Sequence, residues 1–462
     1  MLVETIVDGC PDLLGLYNHA PAHFAALLQS ASKGTPQARF DLLLIADQQQ
    51  APIVKYHPAA RARQNHCDNT QAYELTEHFL ATLDAVFQQT RVRFDAANPW
   101  PFVGGYFVYC GYELVSEIEP SLTLPQSEAP IAYLVRCPAA IIVDHQAQRC
   151  VSVREASYPM AAELLQQWRQ VLSQPTSPPT ELSAQLTVVE DPAEQYLTQV
   201  DQALEHIRAG NIYQANLSRQ WRIQSERPLD GAQLYQKLRQ ANPGPFAAIA
   251  RLPGGEVLST SPERLFRVQG QRIDTRPIAG TRPRTGDEQA MRAELLNNPK
   301  EIAEHVMLID LERNDLGKIC EAGSVVVDEW MSIESYTSVH HLVSNVTGQL
   351  RPTVTPADII RALFPGGTIT GVPKVRCMSI IGQLEATARE AYTGSLGYLS
   401  LDGQMDLNIL IRTAWLTEAN RTLSIRAGAG VVADSAAERE LMETRAKARG
   451  LLRGLGLLEM AD

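Results

Sequence analysis

The segment IYQANLSRQWRI, from Ile212 to Ile223, is predicted to form a β-strand directly after a helix. The helix is indicated by the apolar pattern from Ala193 to Ala209, and Gly210 ends it. Other segments favour strands: Phe40–Ala46, Ala139–Val143, Phe246–Leu252, Glu256–Ser259, Leu265–Gln269, Ser324–Val327, Ser395–Ser400, Ile409–Trp415 and Thr422–Ala427. Further helices are indicated at Asp287–Asn297, Pro299–Leu311, Pro356–Leu363, Lys374–Leu384 and Ser435–Leu452. Strands come in clusters with helices between them, without strict βα alternation, so we expect an α+β fold.

A proline-rich segment, SQPTSPPTE from Ser173 to Glu181, is typical of an extended linker. It predicts that an N-terminal region ends near residue 180. The 462 residues are enough for roughly two to three ordinary domains or one large one.

Composition excludes several classes of function. The 41 Lys and Arg against 52 Asp and Glu give a net charge of −11, which repels the phosphate backbone of a nucleic acid. The N-terminus lacks the basic start of a signal peptide, and no stretch offers about 18 uninterrupted apolar residues, so we expect no membrane or export role. The seven cysteines are scattered and none is spaced as C-x-x-C, which favours a reduced, cytoplasmic compartment.

Two acidic pairs are candidate metal ligands. Glu301 with Glu304, and Glu440 with Glu443, are spaced i, i+3 on predicted helices, so each pair points from one helical face. Hard carboxylate oxygens suit Mg²⁺, which is often held by carboxylates together with an anionic substrate. Such pairs usually lie on solvated helix faces, so either pair taken alone is more often a surface feature than a metal site.

Two glycine-containing segments allow backbone to approach an anion. FPGGTITGVPK, from Phe364 to Lys374, has the glycine spacing of a phosphate loop, but Val372 stands where such a loop needs lysine. It is therefore either a turn offering N–H groups and hydroxyls to a carboxylate or a structural loop. In RAGAGVVADS, Gly428 and Gly430 permit close approach, although a dinucleotide fingerprint is missing.

Five single residues carry possible chemistry. Arg412, Lys447 and Tyr398 are candidate carboxylate binders, although a lone Arg or Lys is usually a surface charge. His341 alternates with apolar residues as in a strand and taken alone is a satisfied core histidine. Glu263 follows a proline at a strand junction, where it is either a general acid or a solvated turn residue.

Taken together, these segments resemble the chorismate-utilising enzymes, which include anthranilate synthase component I, aminodeoxychorismate synthase component I and the isochorismate and salicylate synthases. The resemblance covers about residues 190 to 455 through ordered blocks, namely IYQANLSR, SPERLF, RPIAGTRPR, KEIAEHVMLIDLERNDLG, HHLVSNVTG, FPGGTITGVPK, GSLGYLS, IRT, AGAGVVADS and ELMETRAKA. The blocks GGYFVYCGYEL and LLQSASKGTPQARFD extend it more weakly toward the N-terminus.

The resemblance implies one intertwined α+β fold, in which two large, mostly antiparallel β-sheets pack as a sandwich with surrounding helices. Residues 1–180 would contribute strands to these sheets, and residues 181–462 would form the chorismate-binding catalytic region. Chorismate would lie in a cleft of the C-terminal region.

The resemblance also implies roles for the candidate residues. Mg²⁺ would be contacted by Glu304 and Glu443, with Glu301 and Glu440 assisting through waters. The substrate carboxylates would be held by Arg412, Lys447, Tyr398 and the backbone at Gly428 and Gly430. Thr368 and His341 would line the cleft, and Glu263 would protonate the departing ring hydroxyl. Gln214, Ala279 and Thr281 complete the candidate catalytic set.

The choice of nucleophile follows from Gln214. Relatives that add water carry a lysine base at this position, whereas Gln214 matches the branches that use ammonia. Ammonia is normally delivered by a separate glutamine amidotransferase, and no cysteine here has the G-x-C-x-G setting of that enzyme, so a partner subunit is implied.

The two ammonia-using branches are separated by conflicting motifs. Many aminodeoxychorismate synthases carry a nucleophilic lysine where this chain has Ala279, and P-I-A-G-T is the usual anthranilate synthase pattern. Against this, FPGGTITG resembles the aminodeoxychorismate form, and LLQSASKGTPQARFD lacks the L-L-E-S block that binds inhibitory tryptophan. We weigh the two blocks above the alanine and expect the aminodeoxychorismate branch. Anthranilate synthesis is the alternative, and a non-catalytic chorismate- or tryptophan-binding regulator is a lesser one.

Overall fold

The computed structural model describes residues 1–32, 38–57, 73–93, 98–174, 185–284, 287–336, 339–417 and 419–457. The strands are β1 Leu2–Asp8, β2 Phe24–Gln29, β3 Phe40–Ile45, β4 Ile53–Lys55, β5 Glu74–Leu75, β6 Gly105–Cys110, β7 Ala132–Cys137, β8 Ala139–Asp144, β9 Arg149–Arg154, β10 Leu186–Glu190, β11 Gln214–Ser225, β12 Phe246–Leu252, β13 Gly255–Ser261, β14 Arg264–Gln269, β15 Arg272–Thr275, β16 Ile278–Pro283, β17 Val326–Ser335, β18 Val339–Gln349, β19 Gly371–Val372, β20 Ser395–Ser400, β21 Met405–Asn408, β22 Thr413–Thr417 and β23 Thr422–Val431. The α-helices are α1 Leu14–His19, α2 Phe79–Thr90, α3 Val115–Ile118, α4 Ala162–Leu172, α5 Ala193–Arg208, α6 Gly231–Ala241, α7 Glu288–Asn297, α8 Pro299–Gly317, α9 Pro356–Leu363, α10 Lys374–Leu384 and α11 Ala437–Gly454.

Two large sheets organise the described part of the chain. The first has 12 strands in the order β1-β9-β8-β3-β2-β12-β13-β22-β23-β11-β10, with β19 paired to β11. The second has 11 strands in the order β16-β18-β15-β14-β21-β20-β6-β7-β4-β5, with β17 paired to β18. Neighbouring strands run antiparallel throughout, except that β4 and β5 are parallel. The expected α+β fold with two large, mostly antiparallel sheets is confirmed.

Each sheet joins strands from both halves of the chain. In the first sheet β2 pairs with β12, with Leu27 opposite Ile249. In the second sheet β6 pairs with β20, with Val108 opposite Gly397. The boundary near residue 180 stays a prediction, because residues 175–184 lie outside the described part of the chain.

The two sheets share one apolar core. Leu44 and Ala250 of the first sheet and Phe107 and Leu399 of the second belong to the same buried cluster. Because side chains alternate along a strand, the neighbouring Leu43 faces the other way, into a second cluster where helices α4 and α6 pack on the outer face of the first sheet. Among the described helices, none is both long and apolar enough to cross a membrane.

Local chemistry explains the elements whose predicted bounds agree with the structure. Helix α9 begins after Thr355, whose hydroxyl accepts a hydrogen bond from the Asp358 amide while the Asp358 carboxylate accepts one from Thr355. Pro356 at the first helical position costs no hydrogen bond. These signals lie entirely within the segment, so its sequence is sufficient to predict them.

Other predicted bounds differ from the structure. The strand expected at Ile409–Trp415 begins only at Thr413, because Arg412 has a φ of 52°, which interrupts extended backbone. The strand expected at Ser324–Val327 is the start of the longer Val326–Ser335, whose register shifts twice and where Met331 has a φ of 47°. Both irregularities break the period-two pattern on which strand prediction depends.

Candidate active site

Two adjacent strands and two helices carry most of the predicted site residues. Strand β11 begins at Gln214 and pairs with β23, which places Ala215 opposite Val431 and Ser218 opposite Gly428. Helix α11 follows β23 and carries the second acidic pair and Lys447. Helix α8 carries the first acidic pair. The fold therefore brings together motifs that are distant in sequence.

Glu263 lies in the turn between β13 and β14 and is 6% exposed. Its amide donates to Ser261 Oγ at 3.1 Å, and its Oε1 accepts a hydrogen bond of 2.7 Å from Thr368 Oγ1. Burial raises the pKa of Glu263 to about 7, although the Thr368 bond and the charges of Lys447 and Arg412 act in the opposite direction. A carboxyl group that is partly protonated near neutral pH can serve as a general acid.

Arg412 is a cation held in place by its backbone. The amide and the hydroxyl of Thr260 both donate to its carbonyl oxygen at 3.1 Å. Within the described ranges, no hydrogen bond or ion pair joins its guanidinium to another residue, and burial lowers its pKa. Because a desolvated cation needs an anion nearby, this guanidinium is suited to binding a carboxylate.

Lys447 is the second cation of the site. Its Nζ lies 2.7 Å from Glu443 Oε1 and donates to the carbonyl oxygen of Gly428 at 3.0 Å. It therefore joins helix α11 to the glycine-containing strand β23.

The two predicted glycines leave room for neighbouring polar groups. A Cβ on Gly428 would lie 2.5 Å from Asn216 Oδ1 and 2.7 Å from the Tyr392 hydroxyl. A Cβ on Gly430 would lie 2.5 Å from Gln214 Nε2. Either side chain would displace a polar group from the site, which explains why glycine occupies both positions.

Tyr398 is not brought to this site. It lies on β20, packs edge-on against Phe102 with ring centroids 5.8 Å apart, and lines a separate cavity of about 220 Å³ with Phe40 and Phe246. The tyrosine that reaches the site is Tyr392, whose hydroxyl approaches Gly428. Both tyrosines belong to AYTGSLGYLS, and nothing in that segment alone tells which of them faces the substrate.

Three of the four predicted metal-binding carboxylates, those of Glu301, Glu304 and Glu443, are close enough to interact electrostatically. Glu304 Oε1 accepts a hydrogen bond of 3.3 Å from Gln214 Nε2. Burial raises the pKa of Glu304, and the negative charge of Glu301 and, more weakly, that of Glu443 add to the effect. Glu440 is 8% exposed. These like charges affect one another, as expected of groups that share a site.

The donor chemistry fits Mg²⁺, since the oxygens are hard and anionic and a cation would relieve the repulsion felt by Glu304. Their present positions do not form a ligand set. Among the described residues, no three His, Cys, Asp or Glu side chains lie close enough together to hold a metal ion. Glu301 instead pairs with Arg282 at 2.9 Å, and Glu443 pairs with Lys447.

The remaining candidates lie on β16 and β18. His341 is 8% exposed, and burial, together with the charge of Arg412, lowers its pKa to about 4, so it is neutral at physiological pH. Ala279 is buried on β16 opposite Leu342 and next to a bulge at Gly280, whose φ is 58°. Thr281 pairs with His341 through the backbone, and its side chain lies outside the described part of the structure.

The chain as a whole is similar to known proteins. Residues 39–453 match the family described as chorismate binding enzyme. An anthranilate synthase component I-like protein of Synechocystis sp. is 45% identical over 367 residues, which is 77% of this chain and 73% of the relative. Aminodeoxychorismate synthase component 1 of Bacillus subtilis is 40% identical over 375 residues, or 78% of each chain.

A solved structure also has the same fold. Anthranilate synthase component I from Streptococcus pneumoniae superimposes with a TM-score of 0.76 at 30% identity, covering 91% of this chain and 93% of that one. A family match across most of the chain, a shared fold and the geometry around Glu263 and Arg412 therefore lead to one conclusion: the chain belongs to the chorismate binding enzymes and is a chorismate-utilising enzyme.

Proposed function

We propose that the chain is an aminodeoxychorismate synthase component I, which converts chorismate and ammonia to 4-amino-4-deoxychorismate for p-aminobenzoate and folate synthesis. The observation that carries the use of ammonia is Gln214, a carboxamide bonded to Glu304 where water-adding relatives place a lysine base. A carboxamide does not take up a proton, so water would stay unactivated there, whereas ammonia needs no base to attack.

The chemistry proceeds in two additions. The lone pair of a first ammonia forms a C–N bond at the ring carbon beside the carboxylate-bearing one, both conjugated ring double bonds shift by one position, and the C–O bond to the ring hydroxyl breaks. Glu263 supplies the proton with which that hydroxyl leaves as water. A second ammonia then attacks the carbon that bore the hydroxyl, the two double bonds shift back, and the C–N bond to the first amine breaks so that it leaves as ammonia. The new amine gives up one proton, which restores protonated Glu263. The enolpyruvyl ether is retained, and the net reaction exchanges one hydroxyl for one amino group.

The chain's cations hold the substrate during these steps. The two carboxylates are bound by Lys447 and by Arg412, whose guanidinium has no hydrogen-bonded or ion-paired partner within the described residues. The Tyr392 hydroxyl lies beside Gly428, where it can donate to one of them. Neutral His341 lines the cleft without adding a charge. Ala279 is a small apolar wall that forms no covalent adduct.

We further propose that Mg²⁺ is the cofactor, with Glu304 and Glu443 as direct ligands and Glu301 and Glu440 assisting through waters. When bound, it would neutralise the charge of a substrate carboxylate and of the surrounding glutamates. Glu443 would then exchange its pairing with Lys447 for the metal.

A glutamine amidotransferase subunit is the proposed source of ammonia. The B. subtilis relative is itself named as a component 1, which supports a two-component enzyme. We also propose a cytoplasmic location, since none of the six described cysteines forms a disulfide; Cys67 lies outside the described residues.

Anthranilate synthase component I is the second candidate, in which the same first intermediate would lose pyruvate. Ala279 favours it, because a side chain without a nucleophile cannot form the lysine adduct of many aminodeoxychorismate synthases. The anthranilate synthase names among the relatives favour it as well.

Product analysis separates these candidates. Purified chain with chorismate, Mg²⁺ and a high ammonium concentration is incubated with and without the lyase that converts aminodeoxychorismate to p-aminobenzoate. We expect p-aminobenzoate that depends on the lyase, and about 100-fold less product from Glu263→Gln. Anthranilate and pyruvate would instead place the chain in tryptophan synthesis. Binding of chorismate without its consumption would identify a non-catalytic regulator.

A further inference from the structure

Asn216 combines a hydrogen-bonded backbone with a side-chain oxygen that has no hydrogen-bond partner among the described residues. Its amide donates to the carbonyl oxygen of Thr370 at 2.8 Å, and its carbonyl oxygen accepts a hydrogen bond of 2.6 Å from Arg389. The residue is 9% exposed, yet its side-chain Oδ1 is buried with no hydrogen-bond partner in the part of the chain that the structure describes. Burying a hydrogen-bond acceptor without a donor destabilises the fold, unless a bound ligand supplies the donor.

Gln214, two residues earlier on β11, has the same property. Its Oε1 is also buried and unpartnered within the described residues. The orientation of this amide is set by Nε2, which donates to Glu304 Oε1 and so leaves the oxygen as a free acceptor. Residues i and i+2 of a strand share a face, so both amides lie on the side of β11 that faces the site.

The opposite face of β11 confirms this orientation. Ala215 packs into an apolar cluster with Cys377 and Ile380 of helix α10, and Leu217 packs against helix α5. The two amides, by contrast, contact the space that the side chains of Gly428 and Gly430 would fill. The Asn216 amide oxygen lies beside Gly428, and the Gln214 amide nitrogen lies beside Gly430. Each of these two side chains, on one face of β11, also has a buried oxygen without a hydrogen-bond partner among the described residues.

We propose that Asn216, together with Gln214, holds the ammonia nucleophile by accepting two of its N–H groups. Ammonia has three N–H donors and one lone pair, so two fixed acceptors orient it and leave the lone pair free for the ring carbon. Neither amide oxygen removes a proton, so both serve a nucleophile that is already reactive. This inference rests on the proposed use of ammonia, and it assigns Asn216 to nucleophile binding.

Steady-state kinetics on the purified chain tests the assignment. The rate of chorismate consumption is measured at saturating chorismate and Mg²⁺ while ammonium chloride is varied at fixed pH and ionic strength. Asn216→Leu, which keeps the shape and removes the acceptor, should raise the KM for ammonium about fivefold or more and leave the KM for chorismate within about twofold. Asn216→Asp, which keeps an acceptor, should retain the low KM for ammonium.

Asn345→Leu is the matched control, because Asn345 lies on β18 and its Nδ2 is already bonded to Asp328 at 2.7 Å. It should leave the KM for ammonium unchanged. An unchanged KM for ammonium in Asn216→Leu would overturn the proposal, as would a parallel rise in the KM for chorismate, which would indicate contact with substrate instead. If Asn216→Leu fails to fold, a fivefold rise in the KM for ammonium in Asn216→Asp overturns it.

The effect of the Asn216 variants on the KM for ammonium can be measured whichever product forms. Both the aminodeoxychorismate and the anthranilate reactions consume ammonia, so anthranilate as product would refute the proposed function and leave the Asn216 measurement interpretable.

Discussion

The hydroxyl of Thr368 donates a hydrogen bond of 2.7 Å to Oε1 of Glu263, the buried carboxyl that lies near the cations of the site. The bond favours the ionised carboxylate and so opposes the effect of burial on its pKa. Thr368 thereby sets how much of the acid is protonated at a given pH.

Thr368→Val should move the alkaline limit of activity upward. Without the hydroxyl, the pKa of Glu263 rises further above 7, so the protonated acid persists to higher pH. The pH profile of chorismate consumption, expressed per free ammonia, should shift by about one unit. Thr187→Val, at an exposed position on β10, is the control. An unmoved alkaline limb in Thr368→Val would exclude Glu263 as the titrating acid.

Glu263→Gln should stabilise the fold at alkaline pH while it lowers activity about 100-fold. The folded-state pKa is raised from 4.5 to about 7, so the folded chain binds more protons than the unfolded chain in this window, and stability falls as the pH rises through it. Glutamine removes that cost, which amounts to about 3 kcal/mol above pH 7. Urea unfolding at pH 5 and pH 8 should show the gain at pH 8 alone.

Gly428→Ala should impair chorismate binding. The added Cβ would come within 2.5 Å of Asn216 Oδ1 and within 2.7 Å of both the Tyr392 hydroxyl and the Leu217 carbonyl oxygen, so the two side chains and the β11 backbone must shift. We expect kcat/KM for chorismate to fall about 100-fold. Gly15→Ala, where a Cβ meets nothing within 4 Å, should have no effect. Equal activity of the two variants would contradict the placement of the site along β23.

The two tyrosines of AYTGSLGYLS should respond differently to loss of their hydroxyls. Tyr392→Phe should raise the KM for chorismate about tenfold, because a hydrogen bond to a carboxylate is lost. Tyr398→Phe should leave it within about twofold, since that side chain lines the other cavity. The KM for chorismate is measured by steady-state kinetics on both variants. A raised KM in Tyr398→Phe with an unchanged KM in Tyr392→Phe would instead identify Tyr398 as the substrate contact.

Removal of divalent metal should stop turnover. A chelator is expected to halt chorismate consumption, and added Mg²⁺ should restore it. Glu443→Gln should raise the Mg²⁺ concentration for half-maximal activity more than about tenfold, because a neutral amide is a poorer ligand. Glu438→Gln, on the same helix but exposed, provides the comparison. Full activity with chelator present would remove Mg²⁺ from the proposal.

Sequence alone predicts much of this fold, and its failures have physical causes. The bounds of α9 and α10 agree with prediction because local signals mark where they begin: α9 has a capping box and a proline at its first position, and α10 begins directly after Pro373. The start of β22 was missed because the positive φ of Arg412 depends on bonds from Thr260, on a strand distant in sequence. Local pattern does not report such tertiary contacts.

The site residues likewise divide into those that local sequence predicts and those that only the tertiary structure reveals. Motifs identified Glu263, Gln214 and the glycine pair, since their residue types follow from the chemistry. Asn216 was missed because an amide residue inside a predicted strand carries no sequence signal of function. The signal is structural: its side-chain oxygen is buried without a partner among the described residues. Tyr392 was missed for the reason that it lies six residues from an equally plausible tyrosine.

The pairing of β2 with β12 also affects how the chain is made. The edge of β2 that contains Gln29 stays unpaired until Ala247, roughly 200 residues later in the chain, has been synthesised. At about 5–20 residues per second, a ribosome needs some tens of seconds at the slower rate to supply that partner. The nascent N-terminal half therefore exposes open strand edges during translation, and chaperone protection at that stage would limit aggregation.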